Sequence, residues 1–388
     1  MLLLSVALVG CEVLRLDGPV STDGAWTTEG GTPARASAQA EGLTLPLEEK
    51  WVYNAEGAFG PAAALAADGR LFVATRQGEV RVLDLADERR ALGIADLGDA
   101  IDGAPAMDAR FVYVPLVAGR RGVVAYDFTR GRTAWTLDAE AHAAGLLLTD
   151  RTLVAASLEG RIRAIDPRTG AVRWEQAPDS ARAVYATPVL LDAETIAVVD
   201  DQGRLATYAL VDGTPRWTRD LGAPVYATPT LGPGGTLFVP TTRGRLLGLD
   251  AATGAVRWTF FGATPETRFT AVATDGRTAY TGTSEGTLFA LDVAGIVPSD
   301  GPRVRWSYDE DGVVTAAPHL AGDTVFLGTL RKRVLALDAA TGTVRWQTEV
   351  GGRVKTAPLV ADGYLVVLAE PRQVYLFGPA SLDSLATR

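Results

Sequence analysis

Beyond residue 46 the apolar positions come in short runs separated by Asp and Gly, and the runs recur in sets of four. One set reads Val189-Leu-Leu-Asp192, Thr195-Ile-Ala-Val-Val199, Gly203-Arg-Leu-Ala-Thr-Tyr208 and Gly213-Thr-Pro-Arg-Trp217. Runs this short, bounded by turn residues, predict β-strands. The second run of each set is apolar throughout, as in Leu71-Phe-Val-Ala-Thr75 and Val325-Phe-Leu-Gly328. It predicts a strand buried on both faces. The third run alternates, as in Arg161-Ile-Arg-Ala-Ile165, and the fourth carries a tryptophan.

Those tryptophans set a period. Trp51, Trp135, Trp174, Trp217, Trp258, Trp306 and Trp346, with Leu92 at the one vacant mark, are spaced by 41, 43, 39, 43, 41, 48 and 40 residues. A repeat of this length running through the chain predicts an array of identical supersecondary units. First strands are expected near Pro61, Pro105, Ala144, Pro188, Pro229, Val272, Pro318 and Pro358. The strand around Trp51 precedes all of them, and the last unit, 358–377, has three strands and no tryptophan. Trp51 must therefore complete the last unit. The fold class is all-β, an eight-bladed β-propeller over 46–378 whose ring is closed by an N-terminal strand. Such closure removes the open edge that the last unit would otherwise present.

A sharper motif joins the third and fourth strands. Asp166, Gly170 and Trp174, and likewise Asp338, Gly342 and Trp346, fall in the frame A-x-D-x-x-T-G-x-x-x-W. Asp250, Gly254 and Trp258 fit it except that Gly248 stands in its first position. The residue types suit a docked turn. Asp accepts backbone N–H groups, Gly supplies a left-handed angle, and the indole packs on the next unit. The first blade lacks both Gly and Trp between Asp84 and Leu92, so weaker docking is expected there. The sixth carries an insertion, 295–302, between Asp292 and Trp306.

The first 45 residues break the pattern. Residues 1–10 form an apolar run ending at Gly10, and Leu8-Val9-Gly10-Cys11 matches the lipobox of bacterial lipoproteins. The expectation is a signal peptide over 1–10 and acylation of Cys11, the chain's one cysteine. Ten apolar residues are too few to span a bilayer, so the membrane is met through the lipid alone. Residues 11–45, rich in Gly, Pro, Ala and Ser and without periodicity, read as a flexible tether in which Trp26 has no assigned role. Residues 379–388 are left as a C-terminal tail.

Charge and composition narrow the functions. With a net charge of −9 the chain lacks the basic balance of a nucleic-acid binder. His142 and His319, the two histidines, open first strands and read as packing or channel-lining residues. The acidic runs Asp200-Asp201 and Asp309-Glu-Asp311 read as solvated turns. No nucleophile elbow, P-loop or metal-spaced cluster occurs. The expectation is a protein that is not an enzyme and holds no cofactor and no metal.

The recurring D-x-x-T-G-x-x-x-W turn resembles the tryptophan-docking repeat of pyrroloquinoline-quinone-type propellers, over about 47–378. In quinoprotein dehydrogenases that turn is scaffold, and many of those enzymes carry a vicinal cysteine pair that this chain lacks. Lipobox, tether and bare propeller together resemble the BamB-type lipoproteins. That resemblance implies a non-catalytic subunit of outer-membrane β-barrel assembly, monomeric within a larger complex, facing the periplasm and binding POTRA domains. It implies contact through loops leading from a fourth strand to the next first strand, here 177–185 and 220–226. Both end in Val-Tyr-Ala-Thr-Pro. Arg182, Val184, Tyr185 and Tyr226 are the interface candidates, Arg and Tyr being frequent interface anchors. The family's Leu-Ser-Leu-Arg and paired-Asp signatures are absent from these loops. Packing of the tyrosines between blades is the competing reading. A lipid-anchored propeller serving another envelope complex, a polysaccharide or a small ligand is the competing function, and a quinoprotein dehydrogenase the remaining one.

Overall fold

The computed structural model describes residues 13–380 except 88–90, 139, 178–181, 295 and 297–300. Cys11 with its lipobox, and residues 381–388, lie outside the described residues. Eight antiparallel sheets surround a central axis, each running from an inner first strand to an outer fourth. Blade 4, for example, is Val189–Asp192, Thr195–Val199, Arg204–Ala209 and Pro215–Asp220. The second and third strands are buried almost throughout, as their apolar runs predict. In blade 8, Leu47–Asn54 pairs antiparallel with Gln373–Pro379, Trp51 opposite Leu376. The ring thus closes as the position of Trp51 requires.

Seams between blades follow the docking motif. Asp166 Oδ1 accepts the N–H groups of Arg168 at 3.0 Å and Thr169 at 3.1 Å. Arg173, 2.6 Å from the other oxygen, holds this carboxyl below the usual range. Gly170 then turns left-handed at φ 75° beneath the ring of Trp135, where a Cβ would come within 2.7 Å. Trp174 covers Gly213, Trp217 covers Gly254 and Trp306 covers Gly342 in the same way. Each indole N–H also bonds a carbonyl of the next blade, such as Trp174 to Leu210 at 2.9 Å and Trp346 to Leu47 at 2.9 Å.

Trp258 departs from this pattern. Blade 6 has its insertion where the receiving turn would be. The indole instead folds over its own blade, 5.7 Å from Phe238, and a Cβ at Gly248 would lie 2.1 Å from it. Gly248 replaces alanine to admit that ring.

The expectation of a flexible tether is corrected over 13–45. The segment begins at the outer seam between blades 1 and 2. Leu14 N–H bonds Ile94 O at 2.9 Å and Leu16 N–H bonds Phe128 O at 2.7 Å. Leu14, Leu16 and Val20 are buried in the core of those two blades. Gly131, the docking glycine of blade 2, lies under Val13, Leu14 and Arg15 instead of a tryptophan. The chain's own N-terminal residues therefore fill the seam left by Leu92, and the expected weak dock is reinforced.

The segment then runs inward and enters the channel. Trp26 forms an antiparallel bridge with Ala66. Carbonyls of Pro33, Ala34, Ala36 and Ser37 accept, in turn, the N–H groups of Leu190, Leu231, Thr274 and Leu320. These four donors belong to or border the innermost strands of blades 4, 5, 6 and 7. Inner strands have no neighbour on their axial side, and buried N–H groups left unpaired are costly. The segment pairs them one blade at a time and ends as Ala38–Gln39, parallel to His319–Ala321. A tether with few apolar residues orders itself because the body supplies the missing partners.

Candidate functional site

The two faces of the ring differ. One bears the turns between first and second and between third and fourth strands; residues 26–39 seal the channel on that side. The other bears the loops from each fourth strand to the next first strand, and there the channel opens as a funnel of about 610 Å³.

The floor of the funnel includes Trp26, Glu29, Arg35 and Ser37. Arg35 is buried, and its guanidinium donates to Leu146 O at 3.0 Å, Pro188 O at 3.3 Å and Glu29 O at 2.8 Å, and to the Thr28 hydroxyl. Burial pulls its pKa down to about 10, opposed by the Glu29 charge, so it stays cationic at neutral pH. The Glu29 carboxylate accepts the Thr228 hydroxyl at 2.9 Å and the Thr187 hydroxyl. His319 packs edge-on to Trp26, ring centroids 4.8 Å apart, and burial lowers its pKa to about 3. His142 is likewise buried, its Nδ1 3.0 Å from Ala156 O, with its pKa lowered by burial. Both histidines are packing residues.

The two Val-Tyr-Ala-Thr-Pro strings build the rim, and alternation explains their geometry. Val184, 2% exposed, sinks into the core shared by blades 3 and 4; Val225 does the same between blades 4 and 5. Thr187 and Thr228 point down to Glu29. Tyr185 and Tyr226, 42% and 51% exposed, are left at the mouth with ring centroids 5.4 Å apart at 65°. Packing the tyrosines between blades is not what the structure does. Val184 is corrected from an interface candidate to a core residue: an apolar side chain beside a seam gains more from burial than the polar-tipped tyrosine. Arg182 lies off the funnel, pairing with Asp200 at 3.5 Å beside a recess of about 40 Å³.

The mouth also carries Arg268 and Lys355, the latter 2.8 Å from Glu370. Neither was singled out by motif, since each stands once in a loop. Trp26, Glu29 and Arg35 escaped for the same reason. Of the acidic runs, Glu310 and Asp200 are corrections: Glu310 is buried and paired with Arg333 at 3.1 Å, and Asp200 is buried with its Oδ1 accepting the N–H groups of Gln202 at 3.0 Å and Arg204 at 2.8 Å. Among the described residues no group of three or more His, Cys, Asp or Glu side chains is placed to hold a metal ion.

Comparison with known proteins gives the family. A family model described as outer membrane protein assembly factor BamB matches residues 44–182, 158–309 and 297–381. The protein of that name from Xanthomonas campestris is 28% identical over 165 residues, 40% of this chain and 39% of that protein. Its Salmonella typhimurium counterpart is 31% identical over 93 residues, 20% of this chain and 24% of that one. The matched stretches thus span well under half the length of these relatives. The crystal structure of BamB from Moraxella catarrhalis superimposes with a TM-score of 0.68 at 19% identity, covering 86% of this chain and 100% of that one. A quinohemoprotein alcohol dehydrogenase from Comamonas testosteroni gives 0.75 at 15% identity, covering 95% and 84%. At such identities these two likenesses establish the propeller fold alone. The family model spans nearly all of the propeller, and the chain belongs to the family described as outer membrane protein assembly factor BamB.

Proposed function

We propose that this chain is a non-catalytic scaffold of outer-membrane β-barrel assembly, anchored by lipid at Cys11 to the periplasmic side of the outer membrane. It binds POTRA domains of the barrel-forming subunit through the rim at blades 4 and 5. The observation that carries the reading is the exposed Tyr185–Tyr226 pair, ring against ring, each next to a buried valine, Val184 or Val225. Pre-positioned aromatic anchors lose little freedom on binding, and such residues dominate interface energies. Affinity capture from envelope membranes with the full chain tests it. A POTRA-bearing protein should be recovered, and Tyr185→Ala with Tyr226→Ala should weaken recovery by ten-fold or more while the fold persists. Recovery of no such partner by the unaltered chain would overturn the reading. For the anchor, Cys11→Ser should release the protein into the soluble periplasm.

A second reading is favoured by the funnel itself. Its rings and threonine hydroxyls suit a polysaccharide or small polar ligand, and saturable binding of soluble glycans that survives loss of POTRA binding would support it.

A further inference from the structure

The N-terminal segment fixes where the anchor leaves the body. A loose tether from 11 to 45 would let the propeller drift about 30 Å from its lipid, by the random-coil scaling for such linkers. The chain is instead held to the ring from Val13 onward: Val13 bridges Ile94 on the outer strand of blade 1, and Leu14 is fully buried. One residue, Glu12, stands between Val13 and Cys11. Two residues of fully extended chain reach about 7 Å.

Val13 is 64% exposed, an apolar side chain beside the acylated end. Arg15, Arg130 and Arg132 are exposed around it on the segment and on the outer edge of blade 2. Arg110 and Arg130 flank the buried Asp127 at 2.6 and 3.8 Å, so one carboxylate answers two guanidiniums. Asp17 on the segment, Asp96 on the outer strand of blade 1 and Asp138 on that of blade 2 are exposed acids on the same rim. The rim is thus mixed in charge, and what sets it against lipid is the exit of the chain beside Val13.

We infer that the propeller sits edge-on, with the outer rim of blades 1 and 2 against the phospholipid surface. The funnel axis then runs parallel to the membrane plane, and blade 6, diametrically opposite blade 2, points away from the bilayer. This rests on the anchoring of Cys11 proposed above.

The test uses the full lipidated chain in phosphatidylethanolamine and phosphatidylglycerol vesicles containing brominated acyl chains. Thr133→Cys, on the outer strand of blade 2, and Val304→Cys, on that of blade 6, each take a bimane label; acylation leaves the introduced thiol as the one free thiol. Strong quenching at 133 and little at 304 is expected. Equal quenching at both positions in an acylated protein overturns the orientation and leaves the anchor standing. Absence of acyl chains on Cys11 by mass spectrometry overturns the anchor and the orientation with it.

Discussion

Replacing Trp26 with alanine asks whether the N-terminal segment is part of the body. The indole is buried, lies edge-on to His319 at 4.8 Å, and covers Gly31, where a Cβ would come within 2.8 Å of the ring. A tryptophan buries about 150–250 Å², which at about 25 cal/mol/Å² corresponds to about 4–6 kcal/mol as an upper bound. Measured aromatic-to-alanine changes in cores cost about 3–5 kcal/mol, and that is the expected loss. An unfolding entropy of about 2.1 cal/mol/K per residue over 388 residues is about 0.8 kcal/mol/K, so Tm should fall by about 4–6 °C. Thermal unfolding followed by far- and near-ultraviolet circular dichroism measures it, coincidence of the two probes securing a single transition. Trypsin gives an independent readout. Arg35 is buried under the carbonyls of Leu146 and Pro188 and should resist cleavage in the unaltered protein; Trp26→Ala should expose it. A Tm within about 1 °C of the unaltered protein, with Arg35 still protected, would refute the reasoning, since a surface change in a loose segment costs under about 0.5 kcal/mol.

Three further outcomes are expected. Leu14→Ala should cost about 2–5 kcal/mol in denaturant unfolding, because a fully buried side chain that replaces a docking tryptophan leaves a cavity between blades 1 and 2. Gly254→Ala should cost clearly more than Gly234→Ala: both glycines are left-handed, at φ 70° and 78°, but a Cβ at 254 meets the Trp217 ring at 2.7 Å whereas 234 faces open space. The strain alone is worth about 1 kcal/mol and overpacking adds about 1–3 kcal/mol, so equal losses would remove the docking argument. Acid should also destabilise the protein through His319. Its folded ring is held neutral to about pH 3 whereas the free side chain titrates near 6.5, so between these values the unfolded chain binds more protons. Stability should hold above 6.5 and fall by about 1.4 kcal/mol per unit below it; His319→Leu should flatten that slope in urea titrations at pH 7 and 5.

The ring was legible in the sequence because its elements repeat. Trp51 ahead of any first strand, and a last unit short of one strand, leave closure as the only consistent count. The tyrosine pair was legible too, through two copies of one string. What stayed hidden was the N-terminal segment. An extended chain that borrows a partner from each of several blades has no period of its own, and Leu14, Leu16, Val20 and Trp26 are scattered among glycines and polar residues. Two oddities did point to it: a tryptophan without a place in the repeat and a blade without a tryptophan. Val184 is a core residue beside an exposed tyrosine because neighbours along an extended chain face opposite ways, which a list of interface-prone residue types does not register.

Closure by the N-terminus has a consequence for the order of folding. Residues 33–54 hold both ends of the construction: Leu47–Asn54 needs Gln373–Pro379 for its sheet, and 33–39 needs inner strands from blades 4 to 7. The nearest of these partners, Leu190, lies midway along the chain and the farthest, Pro379, close to residue 388. Contacts of such sequence separation are slow to form, so blade 8 and the channel seal must be the late steps of maturation. Until then the edge of Gln373–Pro379 is open, and the interval before closure is when this protein is most exposed to mispairing with another strand.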